Sequence, residues 1–353
     1  MTFEWRIVHR CRASDVQIRH GRPSTLGSGL LGGEQRYKRH TYVLRPHITS
    51  YTMFSSTLIA FVFGAAAVLA GPLDLTYPRI CGSHPSNTKL VAAERKFDAQ
   101  MVAPGASPMG GEPTSPKLNV YWHVVSKDDT LEGGNVPESQ ITEQLEILNK
   151  AYDNTGISWN LVNVSRTINE EWFNEASPYS PLQADMKSAL RVGGPADFNV
   201  YTVGFKTGQA EGLLGYATFP SDVEAELSDD GVVFLFSSVP GGATENFNLG
   251  HTLTHEAGHW VGLYHTFQGG CAEPGDRVAD TVPEASPASG CPVGRNTCKE
   301  AEGVDPIHNF MDYSFDSCLN EFTPGQIERL QAQMRTFRGV QFGETTEEGT
   351  AEA

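Results

Sequence analysis

The chain is 353 residues long and carries 26 Lys and Arg against 42 Asp and Glu, a formal net charge of −16. With no basic stripe, that balance argues against nucleic acid as a partner, because such binding rests on phosphate neutralisation. Only one long apolar segment interrupts the polar sequence, at residues 53–70, which excludes a polytopic membrane protein.

Charge divides sharply along the chain. Residues 1–52 hold nine Lys or Arg against three Asp or Glu, whereas residues 53–353 hold seventeen against thirty-nine. In the apolar segment, Leu58 to Leu69 spans twelve residues, the length of a signal-peptide core and short for a membrane span. Val68 and Ala70 meet the small-residue rule for cleavage after Ala70. Two readings stand. Either Met53 is the true start and residues 1–52 are an upstream extension of the gene model, or translation from Met1 makes them a cytosolic stub before an uncleaved anchor.

Residues 71–116 read as a leader and linker, ending in a stretch (101–117) with four prolines and three glycines that suits a flexible connector. A single folded domain is expected over 117–340. Leu118 to Val125 reads as a strand, and Ile141, Leu145, Leu148 and Tyr152 recur at helical spacing before a stop at Gly156. Ile157 to Val164 reads as the next strand, Met186 to Val192 as a short helix, and Phe198 to Val203 and Val232 to Phe236 as buried strands. Between these last two, the glycine-punctuated Glu211 to Phe219 suits an edge strand. Thr323-Pro324-Gly325-Gln326 is a capping box with proline at the first helical position, opening a helix whose apolar face is Ile327, Leu330, Met334 and Phe337. Residues 341–353 form an acidic tail without apolar pattern.

The chemistry concentrates at His255-Glu256-Ala257-Gly258-His259-Trp260-Val261-Gly262-Leu263-Tyr264-His265. On a helix, His255 and His259 project from one face, one turn apart. Gly262 can take the positive φ that ends the helix and lets the chain return His265 to the same point. Three imidazoles leave a fourth position open, the mark of a catalytic zinc rather than a structural one. Glu256 stands beside the pair, placed to take a proton from water. His251 also lies on that face, but eight residues separate it from His259, about 12 Å along a helix axis, so it cannot share their ion. The first five residues of the motif alone are a weak signal. Glycine at +7 and histidine at +10 make coincidence far rarer.

The elongated pattern is the signature of metzincin zinc peptidases. Together with Asn309-Phe310-Met311-Asp312-Tyr313-Ser314, the stretch Asn248–Phe267 resembles the pappalysin family, secreted metalloproteases of filamentous fungi among them. That resemblance implies an α+β (mixed α/β) zincin fold: a twisted mixed sheet with a backing helix and the active-site helix, above a small irregular lower subdomain. It implies an endopeptidase acting on extended protein segments, with Met311 in a turn beneath the metal and Tyr313 as the group that meets the oxyanion. Some relatives bind calcium, for which Asp276, Asp280, Asp305 and Asp316 are candidates here. No membrane association is expected once the signal is removed, and a monomer is.

Export makes disulfides the default for the cysteines beyond the signal. Cys271, Cys291, Cys298 and Cys318 permit three pairings, and the family resemblance favours Cys271–Cys298 with Cys291–Cys318. A second zinc site lacks the Cys-x2-Cys pair it needs. Cys81, in Pro78-Arg79-Ile80-Cys81-Gly82, is left over. It is either a latency ligand, like the thiolate that some metzincin precursors place on zinc, or an unpaired cysteine in a disordered leader. Asn163-Val164-Ser165 is a glycan acceptor. Two rivals to the peptidase remain: a secreted zinc-binding adhesin without proteolysis, and a different metzincin branch.

Overall fold

The computed structural model describes residues 79–102 and 115–343. The basic stretch 1–52, the signal candidate 53–70 and the tail from 344 lie outside the described residues.

A five-stranded sheet frames everything else, in the order β2-β1-β3-β5-β4. Its strands are β1 (Lys117–Ser126), β2 (Ser158–Ile168), β3 (Phe198–Val203), β4 (Gly215–Ala217) and β5 (Val232–Leu235). The first four in spatial order run parallel, and only β4 is antiparallel. Parallel neighbours require crossovers. α2 (Glu138–Ala151) makes the first, with Ile141, Leu145 and Leu148 buried along one face, and α4 (Pro181–Leu190) lies in the next. Every residue of β3 is buried, as a central strand covered on both faces must be. The expected edge strand contracts to the three residues of β4, and the expected helix at Met186 begins five residues earlier, where Ser180 caps it and Pro181 opens it. A short helix over Glu170–Glu175 (α3), capped by Asn169, went unread because its six residues show no apolar repeat.

Behind the sheet lies α5 (His251–Val261), buried along nearly its whole length. Aromatic rings fasten it: Phe198 sits 4.7 Å from both Trp159 and Trp260, centroid to centroid. The Trp260 indole N–H donates to Asp230 at 3.1 Å. Arg338, at the end of α6 (Pro324–Arg338), lies over the same ring at 3.7 Å and donates twice to Asp230 at 2.9 Å. The closing helix, the turn that leads into β5 and the active-site helix are therefore joined through one buried carboxylate.

After Gly262 the character changes. Among the described residues 263–322 there is no strand or helix longer than three residues. Disulfides Cys271–Cys298 and Cys291–Cys318 hold this half, each worth about 3–4 kcal/mol in the chain-entropy model. Arg295 adds a polar pin, bridging Glu284 at 2.7 Å and Asp305 at 2.6 Å. Of the residues before β1, α1 (Asn87–Gln100) is a regular helix packed on the body of the protein.

Candidate metal centre

α5 ends where Gly262 adopts φ 110°, and the amides of Gly262 and Leu263 turn back to the Gly258 carbonyl at 3.1 and 2.9 Å. The chain then reverses, and His265 meets the helix again. His255, His259, His265 and Cys81 place one ligand atom each within 4.8 Å of one another, all buried. His259 Nε2 lies 3.1 Å from His265 Nε2 and 3.5 Å from Cys81 Sγ.

The outer ring nitrogens explain why the inner ones point inward. His255 Nδ1–H donates to the Phe310 carbonyl at 2.7 Å, and His259 Nδ1–H donates to the Leu263 carbonyl at 2.8 Å. Both tautomers are thereby fixed, with lone pairs on Nε2. Burial holds all three imidazoles below their ordinary pKa, His259 at about 3, so they are neutral. His255 Nε2 is buried with no hydrogen-bond partner, and His265 Nε2 faces another acceptor nitrogen, His259 Nε2. Neutral donors facing one another in a dry site are costly unless a cation satisfies them, and a nitrogen-rich set of this size fits zinc.

Met311, fully buried, sits beneath the helix, where a methyl on Gly258 would collide with its sulfur. The glycine inside the helix thus reflects a close approach that the sequence pattern does not explain. Tyr313 stands on the other side, its ring 5.1 Å from that of His265, and burial pushes its phenol pKa up, so it stays a proton donor. Glu256 lies under β4, where any side chain on Gly215 would strike its Cγ at 2.7 Å. Burial pushes Glu256 up to about 8. His251, rejected as a ligand, tops the helix against Phe310 instead.

Residues 79–84 fill the cleft. The Leu214 amide donates to the Ile80 carbonyl and the Gly82 amide to the Gly215 carbonyl, both at 2.8 Å, so this segment makes a parallel β-bridge to the free edge of β4. Cys81 thus faces the histidines, its thiol donating to Glu256 at 3.4 Å. Ser83 also donates to Glu256, at 3.3 Å, and accepts from the Ala217 amide. His84 meets the Tyr313 hydroxyl at 3.2 Å. Arg79, 2% exposed, plunges beside the metal centre to an ion pair with Asp316, over the Phe247 ring at 5.0 Å. The other Asp316 oxygen accepts from the Leu249 and His251 amides at the start of α5. Sequence reasoning missed Arg79, Ser83, His84 and Gly215. Only the nearness of Arg79 to Cys81 offered a signal.

The four aspartates considered for calcium do not share a site. Asp280 accepts from Thr323 and the Gly325 amide, Asp305 binds Arg295 and Thr297, and Asp316 pairs with Arg79. Asp276 lies apart, accepting from the Val278 amide. Asp280, Asp305 and Asp316 are thus used by the protein itself, one oxygen of Asp276 is buried without a hydrogen-bond partner, and among the described residues the His–Cys cluster is the only close ligand group.

The family model Peptidase M43, described as pregnancy-associated plasma protein-A, matches residues 198–335. An extracellular metalloprotease of Sordaria macrospora is 39% identical over 285 residues, covering 80% of this chain and 97% of that one. The chain belongs to this peptidase family. A second member, an extracellular metalloprotease of Podospora anserina, is 46% identical over 224 residues, 63% of this chain and 74% of its own. Among solved structures, promirolysin of Tannerella forsythia superposes with a TM-score of 0.58 at 23% identity, covering 73% of this chain and 95% of that one. Mature mirolysin with a cleaved peptide gives 0.52 at 24% identity, over 65% and 96%. The metzincin-like fold expected for the family is thus shared with these solved structures.

Proposed function

We propose that this chain is an exported zinc endopeptidase made in a latent form. The observation that carries the reading is the unpartnered, buried Nε2 of His255 facing the Nε2 atoms of His259 and His265. A zinc ion held by these three supplies Lewis acidity toward a water and a peptide carbonyl. Glu256 takes the proton of the attacking water and passes it to the leaving nitrogen. Tyr313, protonated at any working pH, donates to the carbonyl oxygen as negative charge grows on it. Met311 shapes the floor. The amides and carbonyls of β4 that now bind Ile80–Ser83 hold an extended substrate in their place.

Residues 71–116 act as the leader, and Cys81 is its blocking group. A thiolate is a good zinc ligand and takes the position that water needs. Arg79 then reads as a stand-in for a substrate side chain. Its guanidinium is buried against Asp316, which would otherwise be an unpaired charge in a dry pocket. The mature enzyme therefore prefers Lys or Arg beside the scissile bond. We read residues 53–70 as the signal for export, in line with the extracellular relatives, with 1–52 upstream of the start, 117–340 as the catalytic domain and 341–353 as a solvated tail. Asn163, exposed on the edge strand β2, suits a glycan.

The test is a casein or quenched-peptide assay on leader-free enzyme. Glu256→Gln keeps one zinc per chain and loses turnover; turnover at the native rate by that variant, or indifference to a chelator, overturns the reading.

A further inference from the structure

α1 buries Leu90, Glu94 and Phe97, which fall at i, i+4 and i+7 on one face. The Glu94 carboxylate receives the Arg329 guanidinium at 2.7 and 3.2 Å and the Tyr264 hydroxyl at 2.8 Å. Arg329 is itself held from the other side: its Nε donates to the Gly262 carbonyl at 3.0 Å, and its guanidinium lies 4.8 Å from the Tyr264 ring. Leu90 closes with Phe219 and Tyr264 into a small apolar cluster separate from the main core. The Phe97 ring lies 6.0 Å from that of Phe337. At the rim, Lys89 pairs with Asp222 at 3.0 Å and Lys96 with Glu224 at 2.9 Å.

The receiving face thus has a fixed cation against the Tyr264 ring, edged by two acids. It borders the cleft, for Tyr264 precedes His265 and the Phe219 ring stands 5.3 Å from that of His259. On the latency reading, on which this inference rests, removing the leader strips Arg329 and Tyr264 of their carboxylate partner and bares Phe219 and Phe337. Arg329 cannot simply swing into water, since its Nε bond and its ring contact both hold it to the body. Phe219 and Tyr264 keep their contact with each other at 5.4 Å, and Phe219 its contact with His259 at 5.3 Å, so these rings stay placed without Leu90.

We propose that in the leader-free enzyme this face docks an amphipathic helix of the protein substrate. The helix it fits carries a carboxylate with large apolar residues four positions before and three after, and basic residues at the rim. Proteolysis would then be directed to extended segments that adjoin such a helix.

The probe is the α1 peptide, residues 86–100, which lacks Cys81 and cannot reach the metal. Labelled, it is titrated with leader-free enzyme. Two quenched substrates share one scissile sequence, and one of them also carries residues 86–100. The peptide binds, and Glu94→Gln in the peptide weakens it by about tenfold, as expected for loss of a charged hydrogen-bonded pair. The helix-bearing substrate has a KM lower by about fivefold or more at an unchanged kcat, through effective concentration. Glu94→Gln in the helix of that substrate removes the advantage with the enzyme itself unaltered, the short substrate serving as the constant reference. Equal KM values for the two substrates, or peptide binding indifferent to Glu94→Gln, overturn the proposal. Peptide binding without a KM difference would assign the face to the leader alone and equally overturn it. If the short substrate is not cleaved at all, the peptidase reading has failed instead.

Discussion

The two halves of this protein are held together by different physics, and the metal centre straddles the seam. Above it, β1 to β5 with α2, α5 and α6 bury large rings against one another, as in the stack of Trp159, Phe198 and Trp260. Below it, residues 263–322 have little regular structure and depend on two disulfides and the Arg295 pins. His255, His259 and Glu256 come from the first half, and His265, Met311 and Tyr313 from the second. The upper half sets where the donors point; the lower half decides whether the third donor arrives. Catalytic competence and global stability should therefore come apart on mutation.

The largest expected effect falls on the upper half. Trp260→Ala removes a fully buried ring and uncovers the Asp230–Arg338 pair, costing about 3–5 kcal/mol, with zinc binding and far-UV circular dichroism lost in one transition in urea. If activity disappears while the helical signal persists, the upper half is not the cooperative unit described. Replacing both Cys271 and Cys298 by Ser should cost about 3–4 kcal/mol but act locally. Zinc affinity and turnover fall, while the far-UV signal of sheet and helices stays. A parallel collapse of both would erase the distinction.

Sequence legibility follows the same divide. Ile141, Leu145 and Leu148 announced α2 by spacing alone, and the Thr323–Gln326 capping box is formed as read. The turn at Gly262 was legible because only one geometry returns His265 to its partners. α1 was not, since Leu90 and Phe97 make a thin stripe and Glu94 finds its partner 235 residues away. Arg79 is equally remote from Asp316, at 237 residues. Contacts across such separations leave no local pattern, which is why the contents of the cleft had to come from the fold.

A smaller effect sharpens the role of the seam. In leader-free enzyme, Asp316→Asn should lower kcat/KM for substrates with Lys or Arg at the selected position by about ten- to a hundredfold, with little change for Leu. An equal loss on both substrates would make Asp316 a brace for α5 and nothing more.

The smallest expected effect is in pH dependence, where the halves have opposite signs. Against the upward push of burial, Arg338 with the Trp260 and Thr218 hydrogen bonds holds the Asp230 carboxyl below the usual range. Its contribution is present above the unfolded pKa and is lost as pH falls through the lower folded value. Burial pushes Asp276, in the lower half, up to about 7. The folded state therefore favours its protonated form, and stability drains as pH rises from the ordinary carboxylate value, about 4, toward 7. Urea midpoints at pH 4.5 and 7.5 separate the two: Asp276→Asn gains stability at pH 7.5 and not at 4.5, while Asp230→Asn loses it at both. A flat profile for Asp276→Asn would remove the lower-half claim.

Zinc-edge X-ray absorption on the secreted, leader-bearing protein tests the convergence of donors most directly. The account predicts one zinc per chain with three imidazole nitrogens and one sulfur, the sulfur replaced by a light oxygen donor once the leader is removed. A zinc shell with two imidazoles or fewer, or a protein that binds no zinc when His255, His259 and His265 are intact, would contradict it.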